Sequence, residues 1–534
     1  MRLKRLLCLL FALLLLTGCV DPHAAQTEET EQTESVSVPT GEDDADTTPT
    51  AFGLAYVPEY GFNPYDCTCI TNRPVLSLVY EPLFVLNNSF QPEPVLCDRF
   101  AVSENGKEYV LTLCPDITFS DGSPMTASDV VASLEAARDS DYYGSRFSKV
   151  SGFTATDEST VTIDLSYAYE NLPLLLDVPI VKAGTQHDER PVGSGPYTFF
   201  DNGLRLSLLR SSGWWQDRNA PVEYPSISLT AAANPTEIRD SFEFGATSLV
   251  CADLNSPAAV GYRCDYELWD CPTATMQYIG FNLGAGMFTN RQLRAAVTHV
   301  IDRESISSSI YKGFAQPAYL PCSPDSPLYD DELAASYGYD PGVFRTAFVR
   351  SGVSYDYVGT LLVCSADPSR VEAARRISES MAECGVKLDV VSVDYDSFRY
   401  RLKAGQYDMF IGEARLSATF DLTEFFRPYG SLCYGGIQSS GMERLCRDAL
   451  ENSGNCYDLY KSVMENAYFC PLLFKSYAVM ANRGVISNLQ PAVDNVFHLA
   501  GGRSLADATV SYEELTDPHF GEPEEPTETE AKEP

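Results

Sequence analysis

The chain has 534 residues, which is too many for one hydrophobic core, so two or more packed lobes are expected. Its hydrophobic content of 44% and charged content of 21% are typical of a globular protein and exclude a collagen-like or wholly disordered chain. The 74 Asp and Glu residues outnumber the 38 Lys and Arg residues and give a formal net charge of −36. This charge argues against a nucleic-acid partner, because binding to phosphates requires a basic surface.

The start of the chain is predicted to be an export signal and not part of the fold. Three basic residues precede the apolar run 6–16, which is shorter than the about 20 residues that a membrane-spanning helix needs. Residues 16–19 (LTGC) resemble the lipobox of bacterial lipoproteins, in which the cysteine receives the lipid. We therefore predict a lipoprotein signal peptide over 1–18, lipidation of Cys19, and export to the outer face of the cell membrane.

Two acidic segments flank the body of the chain. Residues 19–50 and 513–534 consist largely of Thr, Glu, Asp, Gln and Pro and have almost nothing to bury. Such composition predicts a disordered acidic linker and a disordered acidic tail.

Strand and helix patterns alternate along the body, which predicts an α/β fold. Residues 109–113 and 160–165 are rich in β-branched and aromatic residues and are predicted strands. Between them, residues 126–129 (TASD) have the capping pattern of a helix start. A second helix is predicted from Asn290 to Gly313, because apolar residues recur at helical spacing and a glycine can end a helix.

The clearest local unit is a strand, a helix and a strand near residue 360. Residues 361–363 are apolar, residues 369–384 have apolar residues at helical spacing, and residues 386–393 alternate. This order predicts a βαβ unit whose two strands are parallel.

The cysteines and the catalytic motifs are less informative. Beyond Cys8 and Cys19, fourteen cysteines remain, an even number that permits up to seven disulfides without indicating their pairing. Cys67 and Cys69 are the only close pair, and they are either buried thiols, members of separate bridges or a shared site. The sequence has no C-x-x-C, H-E-x-x-H, G-x-S-x-G or P-loop motif, so we predict no metal site, no cofactor and no enzyme activity.

Short motifs in a fixed order make the family recognisable. They are residues 80–83 (YEPL), 100–103 (FAVS), 119–130 (FSDGSPMTASDV), 191–197 (PVGSGPY), 279–282 (IGFN), 293–296 (LRAA), 301–303 (IDR), 385–386 (GV) and 406–409 (QYDM). In their order and spacing the chain resembles the family 5 solute-binding proteins, the oligopeptide- and dipeptide-binding components of ABC importers.

The resemblance implies a two-lobed fold of the type II periplasmic-binding-protein kind, with an extra subdomain inserted in lobe one. The implied segments are 51–75, 191–272 and 485–512 for lobe one, 76–190 for the inserted subdomain, and 273–484 for lobe two. In such a fold the ligand is enclosed between the lobes.

The resemblance also implies that two segments hold the ligand, the extended segment 67–73 and the loop 412–426. A peptide offers an ionised amine, an ionised carboxylate and a backbone that can pair with a strand edge, so a peptide site needs groups of both charges. The predicted ligand-binding residues are Cys69, Thr71, Asn72, Glu413, Arg415, Ser417 and Asp421.

One position departs from the peptide-binding pattern. Counting back from Phe425, the Asp that pairs with the ligand amine in peptide binders falls at Ala418, which cannot do so. Glu413 and Asp421 are the nearest acids, and Arg415 offers a base. Each of these is either a ligand contact or a partner in an ordinary ion pair, and on an extended segment Glu413 and Arg415 would face the same side.

The function implied is capture of a peptide or peptide-like solute by a lipid-anchored monomer, which delivers it to permease subunits. The family also includes binders of nickel complexes, haem, sugars and opines, so a non-peptide solute is an alternative. The alternative from another class is a scaffold lipoprotein that retains the fold without transport.

Overall fold

The described part of the chain is mixed α/β, as the sequence predicts, although strands follow one another without an α-helix between them over residues 81–113 and 150–231. The computed structural model describes residues 51–216, 220–256, 258–486, 488–499 and 502–516, all of which lie in one compact unit. The predicted signal peptide, Cys19 and the acidic linker lie outside the described residues.

The described strands share one central sheet and three small sheets. In chain order they are β1 (Phe52–Tyr56), β2 (Glu81–Pro82), β3 (Phe84–Leu86), β4 (Pro92–Pro94), β5 (Cys97–Val102), β6 (Glu108–Leu113), β7 (Val150–Ala155), β8 (Thr160–Leu165), β9 (Pro179–Ile180), β10 (Tyr197–Asp201), β11 (Leu206–Arg210), β12 (Ser226–Ala231), β13 (Leu249–Ala252), β14 (Tyr266–Phe281), β15 (Ala315–Pro317), β16 (Val358–Cys364), β17 (Lys387–Val393), β18 (Met409–Arg415) and β19 (Phe469–Asn482).

The described helices lie mainly between these strands. They are α1 (Arg73–Val79), α2 (Ala127–Asp139), α3 (Pro235–Glu243), α4 (Arg291–Val300), α5 (Arg303–Ser309), α6 (Asp331–Ala335), α7 (Pro341–Ser351), α8 (Pro368–Glu383), α9 (Tyr395–Ala404), α10 (Thr423–Phe426), α11 (Ser440–Glu451), α12 (Cys456–Asn466), α13 (Leu505–Ala508) and α14 (Tyr512–Thr516). No helix in the described ranges is long and apolar enough to cross a membrane.

Two long antiparallel strands, β14 and β19, join the two halves of the central sheet. The sheet runs in the order β10-β11-β12-β1-β13-β19-β14-β18-β16-β17, and β15 also pairs with β19. The first part of β14, up to Pro272, pairs with β19 alone, whereas Thr275 to Phe281 also pairs with β18. The register shifts between Pro272 and Thr275, where the proline has no N–H to donate. This irregularity lies at the predicted boundary between lobe one and lobe two.

Residues within the predicted insert form a separate antiparallel sheet, β5-β6-β8-β7, covered by α2. Helix α2 begins where the sequence predicts, because Thr126 and Asp129 form a capping box. The Asp129 carboxylate also accepts a hydrogen bond from the backbone N–H of Ala183 at 2.8 Å. The cap therefore fixes both the helix start and a neighbouring loop.

The βαβ unit is also confirmed. Strands β16 and β17 pair in parallel from Val358–Lys387 to Cys364–Val393, with α8 between them in the chain. Helix α8 is capped by Asp367, which accepts from the N–H of Arg370. It buries Ala374, Ile377 and Met381 at helical spacing, as the sequence predicts.

Two predicted boundaries are wrong. The single helix predicted from Asn290 to Gly313 is two helices, because Asp302 interrupts the pattern and caps α5 through the N–H of Ser305. The predicted tail begins too early, because residues 513–516 belong to α14, where Glu514 pairs with Arg99 at 3.2 Å.

Candidate ligand-binding cleft

Two adjoining cavities lie where residues distant in the sequence meet. The outer cavity has a volume of about 600 Å³ and is lined by Thr68, by residues between 141 and 175, and by residues between 413 and 432. The inner cavity, of about 160 Å³, is lined by residues that include Arg73, Glu81, Trp214 and Asp494. Tyr142, Arg146 and Arg415 line both cavities, so the two are neighbours.

Glu413 lies on β18 at the centre of a charged network. Its carboxylate accepts from Gln277 Nε2 at 2.9 Å, pairs with Arg370 Nη2 at 2.9 Å and lies 3.5 Å from Lys475 Nζ. Burial acts against ionisation, but Arg370 and Lys475 outweigh it and lower the pKa of Glu413. Lys475 also pairs with Asp253 at 2.7 Å. Glu413 is therefore held ionised by this network.

Arg415 ends β18 and pairs with a residue that the sequence does not suggest. Its Nη2 donates to Oδ2 of Asp494 at 2.6 Å, and its guanidinium lies over the ring of Tyr142 at 5.6 Å from the centroid. Burial opposes the charge of Arg415, yet Asp494 outweighs it and raises the pKa. The ion pairs of Glu413 and Arg415 are thus made with different partners and not with each other.

Ser417 and Asp421 lie on the loop between β18 and α10, and both line the outer cavity. The Ser417 hydroxyl lies 2.9 Å from that of Thr419. Asp421 accepts from the N–H of Thr423 at 2.8 Å and lies 3.8 Å from Lys149 Nζ. Ala418, where the resemblance expects an acid, is half-buried among apolar side chains.

The predicted N-terminal segment contributes less than expected. Residues 70–72 form a turn into α1, so the prediction of an extended segment over 67–73 is wrong beyond residue 69. Asn72 is fully buried; it accepts from the N–H of Val57 at 2.8 Å and donates to the carbonyl of Gly61 at 2.8 Å. These bonds stabilise the chain reversal that precedes α1, so the polar atoms of the Asn72 side chain are used in the fold.

Within this segment the cavity-lining residues are the neighbours of the predicted ones. Thr68 lines the outer cavity, and Cys67 and Arg73 line the inner one. Cys69 and Thr71 are half-buried, and neither is among the described residues that line these two cavities. The fourteen cysteines of the described chain are all free thiols, and no group of three His, Cys, Asp or Glu in it is placed to hold a metal ion.

The predicted insert provides the opposite wall of the outer cavity. Arg146 pairs with Asp177 and lies over the ring of Tyr143 at 4.9 Å from the centroid. The Tyr169 hydroxyl lies 2.8 Å from that of Thr419 across the cleft. The Tyr169–Thr419 contact and the Lys149–Asp421 approach connect chain segments more than two hundred residues apart.

Glu81 is a buried carboxylate that lines the inner cavity. It accepts from the indole N–H groups of Trp214 at 3.1 Å and Trp215 at 2.7 Å, from Gln216 Nε2 at 2.7 Å, and from the hydroxyl of Ser194 at 2.8 Å. A carboxylate with this many donors is satisfied within the protein. Glu81 therefore holds both tryptophans, of which Trp214 lines the cavity.

The family model of the bacterial extracellular solute-binding proteins, family 5, middle part, matches residues 91–433. The matched range covers β4 to β18 and most of the cleft. The chain belongs to this family. Proteins of the family are the solute-binding components of ABC importers for peptides or related solutes, so this family 5 protein captures such a solute for transport.

Relatives and solved structures agree with the family. The glutathione-binding protein GsiB of Salmonella typhimurium is 24% identical over 347 residues, which are 62% of this chain and 67% of the relative. The ABC transporter substrate-binding protein CtaP of Listeria monocytogenes has a TM-score of 0.70 at 17% identity, covering 86% of this chain and 98% of that one. NikZ of Campylobacter jejuni, solved with Ni(L-His), has a TM-score of 0.62 at 19% identity, covering 84% and 97%.

These likenesses establish the type II periplasmic-binding-protein fold that the resemblance implied. The residues that sequence reasoning missed in this family 5 protein are Arg73, Tyr142, Arg146, Lys149 and Asp494. A local signal exists for three of them, because residues 142–149 (YYGSRFSK) combine aromatic and basic side chains directly after α2. Asp494 has no such signal, since its importance depends on the distant Arg415.

Proposed function

We propose that this family 5 protein is a lipid-anchored monomer that captures a peptide or peptide-like solute in the cleft and delivers it to ABC permease subunits. The observation that carries the proposal is the pair of adjoining cavities, whose walls contain cations, carboxylates and aromatic rings. Peptide-like solutes bring charges of both signs and apolar surface, and such walls complement both. GsiB, whose name describes glutathione binding, supports a small peptide-like ligand.

The proposed lobes follow the predicted boundaries. Lobe one comprises 51–75, 191–272 and 485–512, the inserted subdomain comprises 76–190, and lobe two comprises 273–484. The register shift in β14 near Pro272 supports a boundary there, because it interrupts the regular pairing of the two joining strands. The cleft then lies between the inserted subdomain with lobe one on one side and lobe two on the other.

Within the proposed site, Glu413, Arg415, Ser417 and Asp421 keep the role assigned to them, since all four line the outer cavity. Cys69 and Thr71 are proposed to support the neighbouring lining residues Thr68 and Arg73. Asn72 is not carried forward as a ligand contact, because its side chain is buried and bonded to Val57 and Gly61.

Native mass spectrometry of the exported chain tests the proposal. A co-purified solute of low mass that is released on unfolding is the expected result, and its mass identifies the class of solute. A chain that carries no solute and binds none from a library of peptides, nickel–histidine complexes and opines would favour the scaffold alternative. A nickel complex or an opine would keep the capture function and replace the peptide ligand.

A further inference from the structure

The inner cavity contains polar groups whose binding capacity is not used within the described chain. The Oδ1 atom of Asp494 and the hydroxyl of Tyr142 are buried and have no hydrogen-bond partner among the described residues. Arg73 lies over the ring of Tyr142, 4.7 Å from its centroid, and none of the described carboxylates pairs with it. Buried polar atoms are nearly always paired, so these two unpaired atoms, beside the half-buried Arg73 in the same cavity, indicate a partner from outside the described chain.

The contacts between these groups place them around one point. The guanidinium groups of Arg73 and Arg415 lie 4.7 and 5.6 Å from the centroid of the same Tyr142 ring. Arg415 in turn donates to Oδ2 of Asp494 at 2.6 Å, which leaves Oδ1 unpaired. Arg415 therefore satisfies only one oxygen of the carboxylate and holds the other in place.

The backbone at Asp494 also holds it in position. Its φ of 57° lies in the left-handed region, which is unfavourable for a residue other than glycine. The turn is closed by hydrogen bonds between Ala492 and Asn495, and the N–H of Asp494 donates to the carbonyl of Pro272 at 3.0 Å. The carboxylate is thus fixed relative to the joining strand β14.

The chemistry of Asp494, Arg73 and Tyr142 indicates which ligand groups they could bind. Oδ1 of Asp494 accepts, so it needs a donor, and an ammonium is the strongest match for a carboxylate oxygen. Arg73 donates and carries a positive charge, so it needs a carboxylate, to which the Tyr142 hydroxyl can also donate. An ammonium and a carboxylate within one small cavity would therefore complement these groups.

We infer that the inner cavity binds an α-amino-acid head, an ammonium and a carboxylate on the same carbon, with the ammonium on Asp494 and the carboxylate on Arg73 and Tyr142. The inference rests on the proposed capture function and specifies its ligand. An α-linked peptide does not meet it, because the carboxyl next to its ammonium is a neutral amide. The ligand is a free amino acid or a peptide joined through the side chain of its first residue, with the remainder in the outer cavity.

Calorimetric titration with three probes tests the inference. Reduced glutathione, which is γ-linked, carries an intact amino-acid head; its α-linked isomer has the same atoms without that head; L-glutamate is the head alone. We expect glutathione or L-glutamate to bind at least tenfold more tightly than the α-linked isomer. Tighter binding of glutathione identifies an extended ligand, and tighter binding of L-glutamate identifies a free amino acid.

Variants assign the preference to the named groups. Arg73→Gln, Tyr142→Phe and Asp494→Asn are each expected to weaken binding of the preferred probe by tenfold or more. Arg483→Gln, which breaks the exposed pair with Asp265, is the matched control and leaves affinity unchanged. If Asp494→Asn fails to fold because Arg415 loses its partner, Arg73→Gln and Tyr142→Phe still test the inference. Neither of these substitutions removes a hydrogen bond or an ion pair made within the described residues, and Tyr142→Phe keeps the ring over which Arg73 lies.

Three results would overturn the inference: equal or tighter binding of the α-linked isomer, a preference that survives in Arg73→Gln and Tyr142→Phe, or no binding of any probe. The proposed capture function is judged separately by the co-purified solute and the solute library. If the chain binds a library peptide but none of the three probes, the inference of an amino-acid-head site is rejected and the proposed capture function is retained.

Discussion

At Glu413 the ionisation of one side chain depends on residues from four separate stretches of the chain. Arg370 begins α8, Lys475 lies on β19, Gln277 lies on β14 and Asp253 follows β13. The side chains of Lys475 and Arg370 are only 7% and 11% exposed, so removing the carboxylate would leave two buried cations with fewer acids. Breaking a buried ion pair in this way costs about 3–5 kcal/mol.

We therefore expect Glu413→Gln to lower the free energy of unfolding by about 3 kcal/mol at neutral pH. Glu372→Gln is the matched control, because its pair with Arg375 lies at the surface and contributes no more than about 1 kcal/mol. Urea unfolding of both variants measures the difference. A loss for Glu413→Gln no larger than that of the control would contradict the account of the network.

The same network has a defined pH dependence. The pKa of Glu413 is lowered from its ordinary value of 4.5, so its contribution to stability is complete above that value. It is lost as the pH falls through the lower pKa of the folded state, because the carboxylate then becomes protonated. The stability difference between the native chain and Glu413→Gln should shrink below pH 4.5. Urea unfolding across this range tests the sign, and a difference that grows in acid would be inconsistent with it.

At the scale of single elements, the local sequence is sufficient to predict a helix or a strand where capping and apolar spacing agree. The Thr126 capping box and the β16–α8–β17 unit follow the sequence because capping and apolar spacing act over a few residues. The helix predicted over 290–313 failed at Asp302, where a capping side chain divides an otherwise continuous apolar pattern. The apolar spacing there favours one continuous helix, whereas the Asp302 cap favours a new helix start, and in the structure a new helix begins.

The site was less predictable than the fold for a related reason. Glu413 and Arg415 were found from the loop that the family uses, but their partners Lys475 and Asp494 are far along the chain. The segment 67–73 was expected to be extended, whereas Asn72 bonds to Val57 and Gly61 and turns the chain into α1. Pairings of this kind arise from tertiary structure and leave no local pattern.

Two capping boxes among the described residues allow an element-scale prediction. Asp129 accepts from the N–H of Thr126 and also from the N–H of Ala183, both at 2.8 Å. Asp507 forms a similar box with Ser504 at an exposed site. Asp129→Ala should lower the free energy of unfolding by about 3 kcal/mol, because it removes a cap and strands a backbone donor. Asp507→Ala should cost about 1 kcal/mol; equal losses in urea unfolding would refute the role of Ala183.

At the scale of the whole molecule, β14 and β19 determine how the halves of the sheet are joined. Both strands continue from the β13 side to the β18 side, so any relative movement of the lobes must bend this pair. The pairing of these two strands is irregular near Pro272 and again between Gln277 and Tyr278.

The proposed attachment of the molecule to the membrane depends on Cys19, which precedes the described residues in the sequence. Lipidation of a lipobox cysteine requires its thiol, so Cys19→Ala should abolish incorporation of a labelled fatty acid and leave the precursor uncleaved by the lipoprotein route. Metabolic labelling of producing cells measures this, with Cys8→Ala in the apolar run as the control that keeps its label. Equal labelling of the native chain and Cys19→Ala would rule out the proposed anchor.

Closure of the cleft should respond to one charge that faces it. Lys149 lies 3.8 Å from Asp421 across the outer cavity, so Lys149→Glu places two acids opposite each other and disfavours the closed arrangement by like-charge repulsion. A ligand that contacts both sides of the cleft favours the closed form, because only that form makes both sets of contacts. Small-angle scattering of the unlipidated chain should show a smaller radius of gyration with the co-purified solute than without it.

Without solute, Lys149→Glu should have a larger radius of gyration than the native chain. Lys107→Glu makes the same charge change at an exposed turn of the β5–β6 hairpin and should not alter the radius. An unchanged radius at saturating solute would exclude closure as the mechanism of capture, and equal expansion of both variants would show that net charge, and not the cleft contact, controls the shape.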